Sequence, residues 1–254
     1  MKKTVLAALF LILTAGKVFA AAHQEPIMVF AAASLKDALK EIAADFQKED
    51  GTRVQFNFGG SKTLRIQIEK GMPCDVFIAA DKESTEKLLS QGLLEKNLLI
   101  SLLENKLIIV SAKDSEEKLD SLFDMRFNQG DALAIADPKI APAGVYARQA
   151  FTKAGLWDKF KGHIVPLLDV RAAMAQVQAG NAKYAVVYAT DAHAAANVKV
   201  VYHIPAQLYD RIIYTAAVVK KGENSPAARN FLSFLQSRRS KMIFQKYGFQ
   251  PYEH

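Results

Sequence analysis

Residues 27–46 read Ile27-Met28-Val29-Phe30-Ala31-Ala32-Ala33-Ser34-Leu35-Lys36-Asp37-Ala38-Leu39-Lys40-Glu41-Ile42-Ala43-Ala44-Asp45-Phe46, and two periodicities meet inside them. Ile27–Ala32 is an apolar run with β-branched and aromatic members, the composition of a buried strand. From Leu35 the apolar residues recur as Leu35, Ala38, Leu39, Ile42, Ala43 and Phe46, one stripe of a helix that ends before Gly51. A strand that turns through small residues straight into a helix is the opening unit of an α/β fold.

Outward from this unit the alternation continues. Strands are expected at Arg53–Phe58, Asp75–Ala79, Lys106–Val110, Ala132–Ala136, Tyr184–Tyr188, Val198–His203 and Arg211–Val219. Leu64, Ile66 and Ile68 mark a shorter helix closed by Gly71-Met72-Pro73. Ser225-Pro226 opens a later one with an N-cap and a proline at the first helical position, and Phe231, Phe234 and Leu235 form its buried side. This order predicts mostly parallel sheets with flanking helices on both faces. The pattern restarts near Lys106 after a polar stretch, which divides the chain into two α/β lobes, 24–105 with 214–254 and 106–213. Two crossings between them make a hinge, with a ligand cleft between the lobes.

The N-terminus sets the compartment. Lys2 and Lys3 precede an apolar run from Val5 to Leu13, and Val18-Phe19-Ala20 supplies the small residues of a cleavage site, so residues 1–20 read as a signal peptide. Ala20 and Ala22 offer a second cleavage point. Loss of Lys2, Lys3 and Lys17 takes the formal charge from +7 to +4, an excess too modest and too dispersed to indicate nucleic acid. Cys74 is the single cysteine, so no intramolecular disulfide forms and the cores alone carry stability. No cysteine stands directly after the cleavage point, which argues against a lipoprotein.

Four places share the design of a strand end, a small or hydrogen-bonding residue, and a helix start: Phe30 to Leu35, Phe58 to Leu64, Ala136 to Gly144, and Leu168 to Arg171. Each helix start presents unpaired backbone N–H groups and the positive end of a dipole. One such end is a weak anion site, and several on one cleft make a strong one. Ser34 and Ser61 add hydroxyl donors, although simple N-capping explains either serine taken alone.

These motifs resemble the periplasmic molybdate-binding proteins of ABC-type molybdate importers. The likeness rests on Val29 to Leu35 and the Phe58-Gly59-Gly60-Ser61 stretch leading to Leu64. It continues with Asp75 to Asp81, Asp137-Pro138 with Pro142 to Ala147, Asp169-Val170-Arg171, Val187-Tyr188 and Lys246 to Phe249. It implies a two-lobed periplasmic binding protein fold of the second type and a monomeric, periplasmic receptor. That receptor hands molybdate or tungstate to a membrane permease and has no cofactor and no catalytic role. It also implies the ligand-binding set: hydroxyl and backbone N–H of Ser34 and of Ser61, the backbone N–H groups of Ala143 and Val170, and the Tyr188 hydroxyl. Lys62 departs from the family's usual small residue, and its ammonium either points to solvent or adds charge at the cleft mouth. Arg171 braces either Asp169 or the hinge.

Other chemistries are less well supported. The five histidines lack metal-ligand spacing, and no P-loop, GxGxxG or GxSxG occurs. Asp75, Asp81, Asp137 and Asp169 suit caps and turns better than acid–base work. A receptor of the same fold for sulfate, thiosulfate or an iron complex is the alternative, and a secreted α/β enzyme is a more distant one.

Overall fold

The computed structural model describes residues 25–193, 195–220 and 226–253. The signal peptide expected at residues 1–20 and the cap expected of Ser225 lie outside them. The chain runs β1 (Ile27–Ala32), a 3-10 turn at Ala33–Leu35, α1 (Lys36–Asp50), β2 (Val54–Gly59), α2 (Ser61–Glu69), β3 (Val76–Ala79), α3 (Lys82–Ser90) and β4 (Leu94–Asn105). It continues with β5 (Leu107–Ala112), β6 (Leu133–Ala136), α4 (Pro142–Lys153), α5 (Trp157–Phe160), β7 (Ile164–Leu167), α6 (Val170–Gln178), β8 (Tyr184–Tyr188), α7 (Ala189–His193) and β9 (Val198–His203). The last elements are β10 (Ile212–Val219), α8 (Pro226–Leu235), α9 (Arg238–Lys246) and β11 (Gln250–Pro251).

Two sheets form, each flanked by helices, in a two-lobed α/β arrangement. The first has the order β11-β4-β10-β3-β1-β2, and the second β7-β6-β8-β5-β9. Both are mixed, which corrects the expectation of mostly parallel sheets. The parallel pairs are β1 with β2 and β3, and β6 with β7 and β8. The antiparallel pairs gather around β10 and β5. The cause is the double crossing. β4 carries the chain out of the first sheet and β10 brings it back beside β4, so the two must run in opposite directions.

The first sheet is buried on both faces, and its strands alternate between two cores. Val29 and Ala31 of β1, Val76 and Ile78 of β3, and Ala216 and Val218 of β10 face the core that α1 covers. Phe30, Phe77, Ala217 and Val219 face the other, with Leu64, Ile68 and Leu88 of α2 and α3. α1 buries Ala38, Leu39, Ile42, Ala43 and Phe46 and stops at Gly51, whose φ of 85° closes it in the left-handed conformation. In α2 Leu64 and Ile68 are buried while Ile66 is exposed. Residues two apart lie on opposite sides of a helix, so the three could not share one face.

Three strands escape the sequence reading. β4 is rich in leucine with Glu95, Lys96 and Asn97 among its early residues, and it lacks the alternation that marks a half-buried strand. β7 carries Pro166 and β11 carries Pro251, and both sit at sheet edges, where a missing N–H is tolerated. Cys74 is buried, its thiol donates to the Val76 carbonyl (3.3 Å), and burial pushes its pKa up to about 12. It packs as a small apolar residue.

Candidate functional site

The two sheets point the ends of their central strands at one another, and a small cavity lies between them. Ser34, Ser61, Ala143, Val170 and Tyr188 all line it. Ser34 comes from the 3-10 turn after β1, and Ser61 is the first residue of α2. Ala143 follows Pro142 in the first turn of α4, Val170 opens α6, and Tyr188 ends β8. The structure therefore brings together all five residues singled out in the sequence, two from one lobe and three from the other.

Neither serine caps its helix, since no side-chain cap bond forms at either start. The backbone N–H of Ala80 donates to Ser61 Oγ (3.0 Å), which leaves the Ser61 proton free to point elsewhere. Ser34 Oγ lies 2.8 Å from Tyr214 Oη. Ala143 and Val170 bring N–H groups of the first helical turn, which have no partner inside the helix. The Tyr188 hydroxyl is buried and has no hydrogen-bond partner among the described residues. An unmet buried hydroxyl costs about 1–3 kcal/mol. Burial also pushes its pKa well up, so the group keeps its proton and remains a donor.

The carboxylates near the cavity are tied to backbone N–H groups. Asp169 caps α6 through Ala172 (2.9 Å), and Asp81 caps α3 through Ser84 (2.5 Å). Asp137 accepts from Lys139 (2.9 Å), while Asp75 lies at the far end of β3 from the cavity and accepts from Met28 at the start of β1 (2.6 Å). Caps and a turn account for Asp81, Asp169 and Asp137, as their sequence contexts imply, whereas Asp75 instead bridges two strands. The cavity thus has donors from several directions and a buried hydroxyl without an acceptor.

Arg171 braces both lobes. Its Nη2 reaches Asp37 Oδ2 (2.8 Å) and the Ser34 carbonyl (3.4 Å) in the first lobe. Its Nε lies 2.8 Å from Asp191 Oδ1 in the second, an ion pair by distance without the angle of a hydrogen bond. Lys62 points neither into the cavity nor freely to solvent. Its ammonium crosses to the Pro138 carbonyl (3.4 Å) with Glu83 at 3.9 Å. Thr63 N–H donates to the Ile140 carbonyl (3.3 Å), and Tyr146 Oη donates to the Ala80 carbonyl (3.4 Å), so the lobes are closed on one another.

Asp191 is fully buried, and burial pushes its carboxyl up from 3.8 to about 6 against the opposing pull of Arg171 and of the Tyr188 N–H, with Asp169 and Asp37 adding to the rise. A carboxyl whose pKa is raised on folding stabilises the fold while protonated and loses that contribution as pH rises through the folded value. Asp191→Asn is therefore expected to gain roughly 1–3 kcal/mol relative to the native chain between about pH 4 and pH 7. Paired urea titrations across that range check it, and a pH-independent difference would contradict it.

Comparison with known proteins agrees with the fold. The family model described as bacterial extracellular solute-binding protein matches residues 27–250. The chain belongs to the bacterial extracellular solute-binding proteins. This solute-binding protein is 38% identical over 235 residues to the molybdate-binding protein ModA of Escherichia coli K12, with 91% of each chain covered. It is 36% identical to the ModA protein of Haemophilus influenzae, over 94% of this chain and 95% of that one. Among solved structures it superimposes on the periplasmic molybdate-binding protein of Azotobacter vinelandii with a TM-score of 0.81 at 28% identity, covering 89% of this chain and all of that one.

No helix among the described residues is long and apolar enough to cross a membrane. No cluster of three or more histidine, cysteine or carboxylate side chains that could hold a metal ion occurs among them. What sequence reasoning missed is the layer behind the donors. Tyr214 and Asn105 stand far from Ser34 in the chain and join no local motif, so only the fold reveals them.

Proposed function

We propose that this protein captures molybdate, with tungstate as an equivalent guest, in the periplasm and delivers it to the membrane permease of an ABC importer. The observation that carries the reading is the convergence of Ser34, Ser61, Ala143, Val170 and the partnerless Tyr188 hydroxyl on one buried cavity. A fully ionised tetrahedral oxyanion has acceptors alone, so it can satisfy every donor at once. Charge-assisted hydrogen bonds contribute about 1.5–3 kcal/mol each. Five residues' worth offset association costs of ~4–15 kcal/mol and still leave room for sub-micromolar affinity. The relatives named for molybdate support the choice of ion. Binding without turnover is the corresponding role, since nothing among the lining residues pairs a nucleophile with a base.

The lobes are read as residues 24–105 with 214–254 and residues 106–213, closing as a monomer around the ion so that the permease meets a closed, loaded receptor. Calorimetry of refolded, ligand-free protein against a panel of anions tests the proposal. Molybdate and tungstate are expected to bind at near-stoichiometric concentration, and sulfate about a hundredfold more weakly because its shorter bonds leave donors unreached. Tyr188→Phe and Ser61→Ala are each expected to weaken molybdate binding by about tenfold or more. Without ligand, Tyr188→Phe should not lower the melting temperature, because it removes an unmet buried hydroxyl, and Ser61→Ala should lower it by a few degrees, because it orphans the Ala80 N–H. Equal affinity for sulfate and molybdate, or full affinity in both variants, would sink the reading.

A further inference from the structure

The backbone N–H of Lys106 donates to Asn105 Oδ1 (2.9 Å). A backbone N–H can only donate, so this contact fixes which way the Asn105 amide faces. Its Nδ2 must then donate, and it reaches Tyr214 Oη (3.1 Å) and Thr190 Oγ1 (2.9 Å). Tyr214 is fully buried and burial holds its phenol protonated, with Asp191 pushing the same way. Asn105 Nδ2 can only donate to the Tyr214 oxygen, so among the described residues Ser34 Oγ, 2.8 Å away, is the one acceptor for the Tyr214 proton, and Tyr214 donates to it. Ser34 Oγ is thereby used as an acceptor from behind, and its own proton is left for the cavity that Ser34 lines.

We infer that Asn105 and Tyr214 are positioning residues that set the polarity of the Ser34 hydroxyl, making it a donor toward the ligand, and that they thereby determine rejection of anions carrying an O–H. The inference rests on the proposed oxyanion site and adds to it the residues that enforce its selectivity. Asn105 ends β4 at the crossing between lobes, and its second bond, to Thr190, reaches α7 in the other lobe. The direction of one hydroxyl inside the cavity is therefore set from the hinge.

Reversing the first group in the relay should reverse the last. Asn105→Asp keeps the shape and still accepts from the Lys106 N–H, but its other oxygen accepts where Nδ2 donated. Tyr214 then donates to that new carboxylate oxygen rather than to Ser34, and Ser34 donates back to Tyr214. The Ser34 lone pairs now face the cavity. Molybdate and hydrogenarsenate are suitable probes at mildly alkaline pH, because both are tetrahedral dianions and only hydrogenarsenate carries an O–H. Any added charge at residue 105 affects the two alike and cancels in their affinity ratio.

In Asn105→Asp the preference for molybdate over hydrogenarsenate, measured by competition, is expected to fall by about tenfold or more. In a Tyr214→Phe background, which lacks the connecting hydroxyl, the same substitution is expected to leave the ratio where Tyr214→Phe alone puts it. Asn105→Ala, which frees Tyr214 to turn, should shift the ratio in the same direction and serves if Asn105→Asp does not fold. An unchanged ratio, or an equal change with and without the Tyr214 hydroxyl, overturns the inference while native binding of molybdate leaves the functional proposal intact. A native chain that binds no molybdate overturns both.

Discussion

Gly60→Ala is expected to raise the dissociation constant for molybdate by about a hundredfold or more while leaving the ligand-free protein as stable or up to ~1 kcal/mol more so. Gly60 adopts φ −67° and ψ 133°, ordinary extended backbone that alanine accepts without strain. What forbids a side chain is the opposite lobe. A Cβ on residue 60 would stand 2.6 Å from the Ile140 carbonyl oxygen, 3.0 Å from Ala141 Cβ and 3.1 Å from the Leu168 carbonyl oxygen. Two of these are backbone atoms and cannot swing aside. The lobes must stop short of their closed position, and the donors of Ala143 and Val170 then miss a guest held by Ser34 and Ser61. An opened receptor has no such clash, so stability should not fall. Calorimetry and a thermal melt of the same sample separate the two effects, and unimpaired affinity would show that closure is not needed for tight binding.

Gly144→Ala should fail in the other way, by loss of the fold around the second lobe. In an exposed helix the change would favour alanine by about 1 kcal/mol. Here a Cβ would lie 1.9 Å from the Ala136 carbonyl oxygen and 2.7 Å from both the Ala136 carbonyl carbon and the Pro138 nitrogen, all backbone at the end of β6. The glycine lets α4 begin directly against that strand end, and Ala143, its neighbour, faces the cavity as a result. Forced apart, the helix start costs about 3 kcal/mol or more, equivalent to a melting temperature lowered by roughly 10 °C for a chain of this size. Molybdate binding should fall as well. A melting temperature within a degree or two of native would refute the packing argument.

Where local chemistry decides, the sequence was readable. The strand-to-helix junctions at Ala32, Gly59, Ala141 and Asp169 show themselves through runs of apolar residues that stop at small or capping ones, and the five cavity residues sit at or beside such junctions or at a strand end. Where distant chain decides, it was not. β4 carries no clear alternating pattern, and the strand it joins, β10, comes more than a hundred residues later. The expected parallel sheets became mixed for the same reason. Lys62 and Arg171 each had two readings as isolated residues. The first resolves to a bond across the cleft and the second to a brace on Asp37, the Ser34 carbonyl and Asp191, through partners that no spacing announces.

The position of β10 also sets an order of assembly. It lies between β3 and β4, and among the described residues β4 has no strand partner except β10 and β11. As the chain emerges from its N-terminus, every strand of the second sheet is complete before β10 exists. The half of the molecule that starts first must finish last, its early strands waiting, incompletely paired, for a segment made near the end of synthesis.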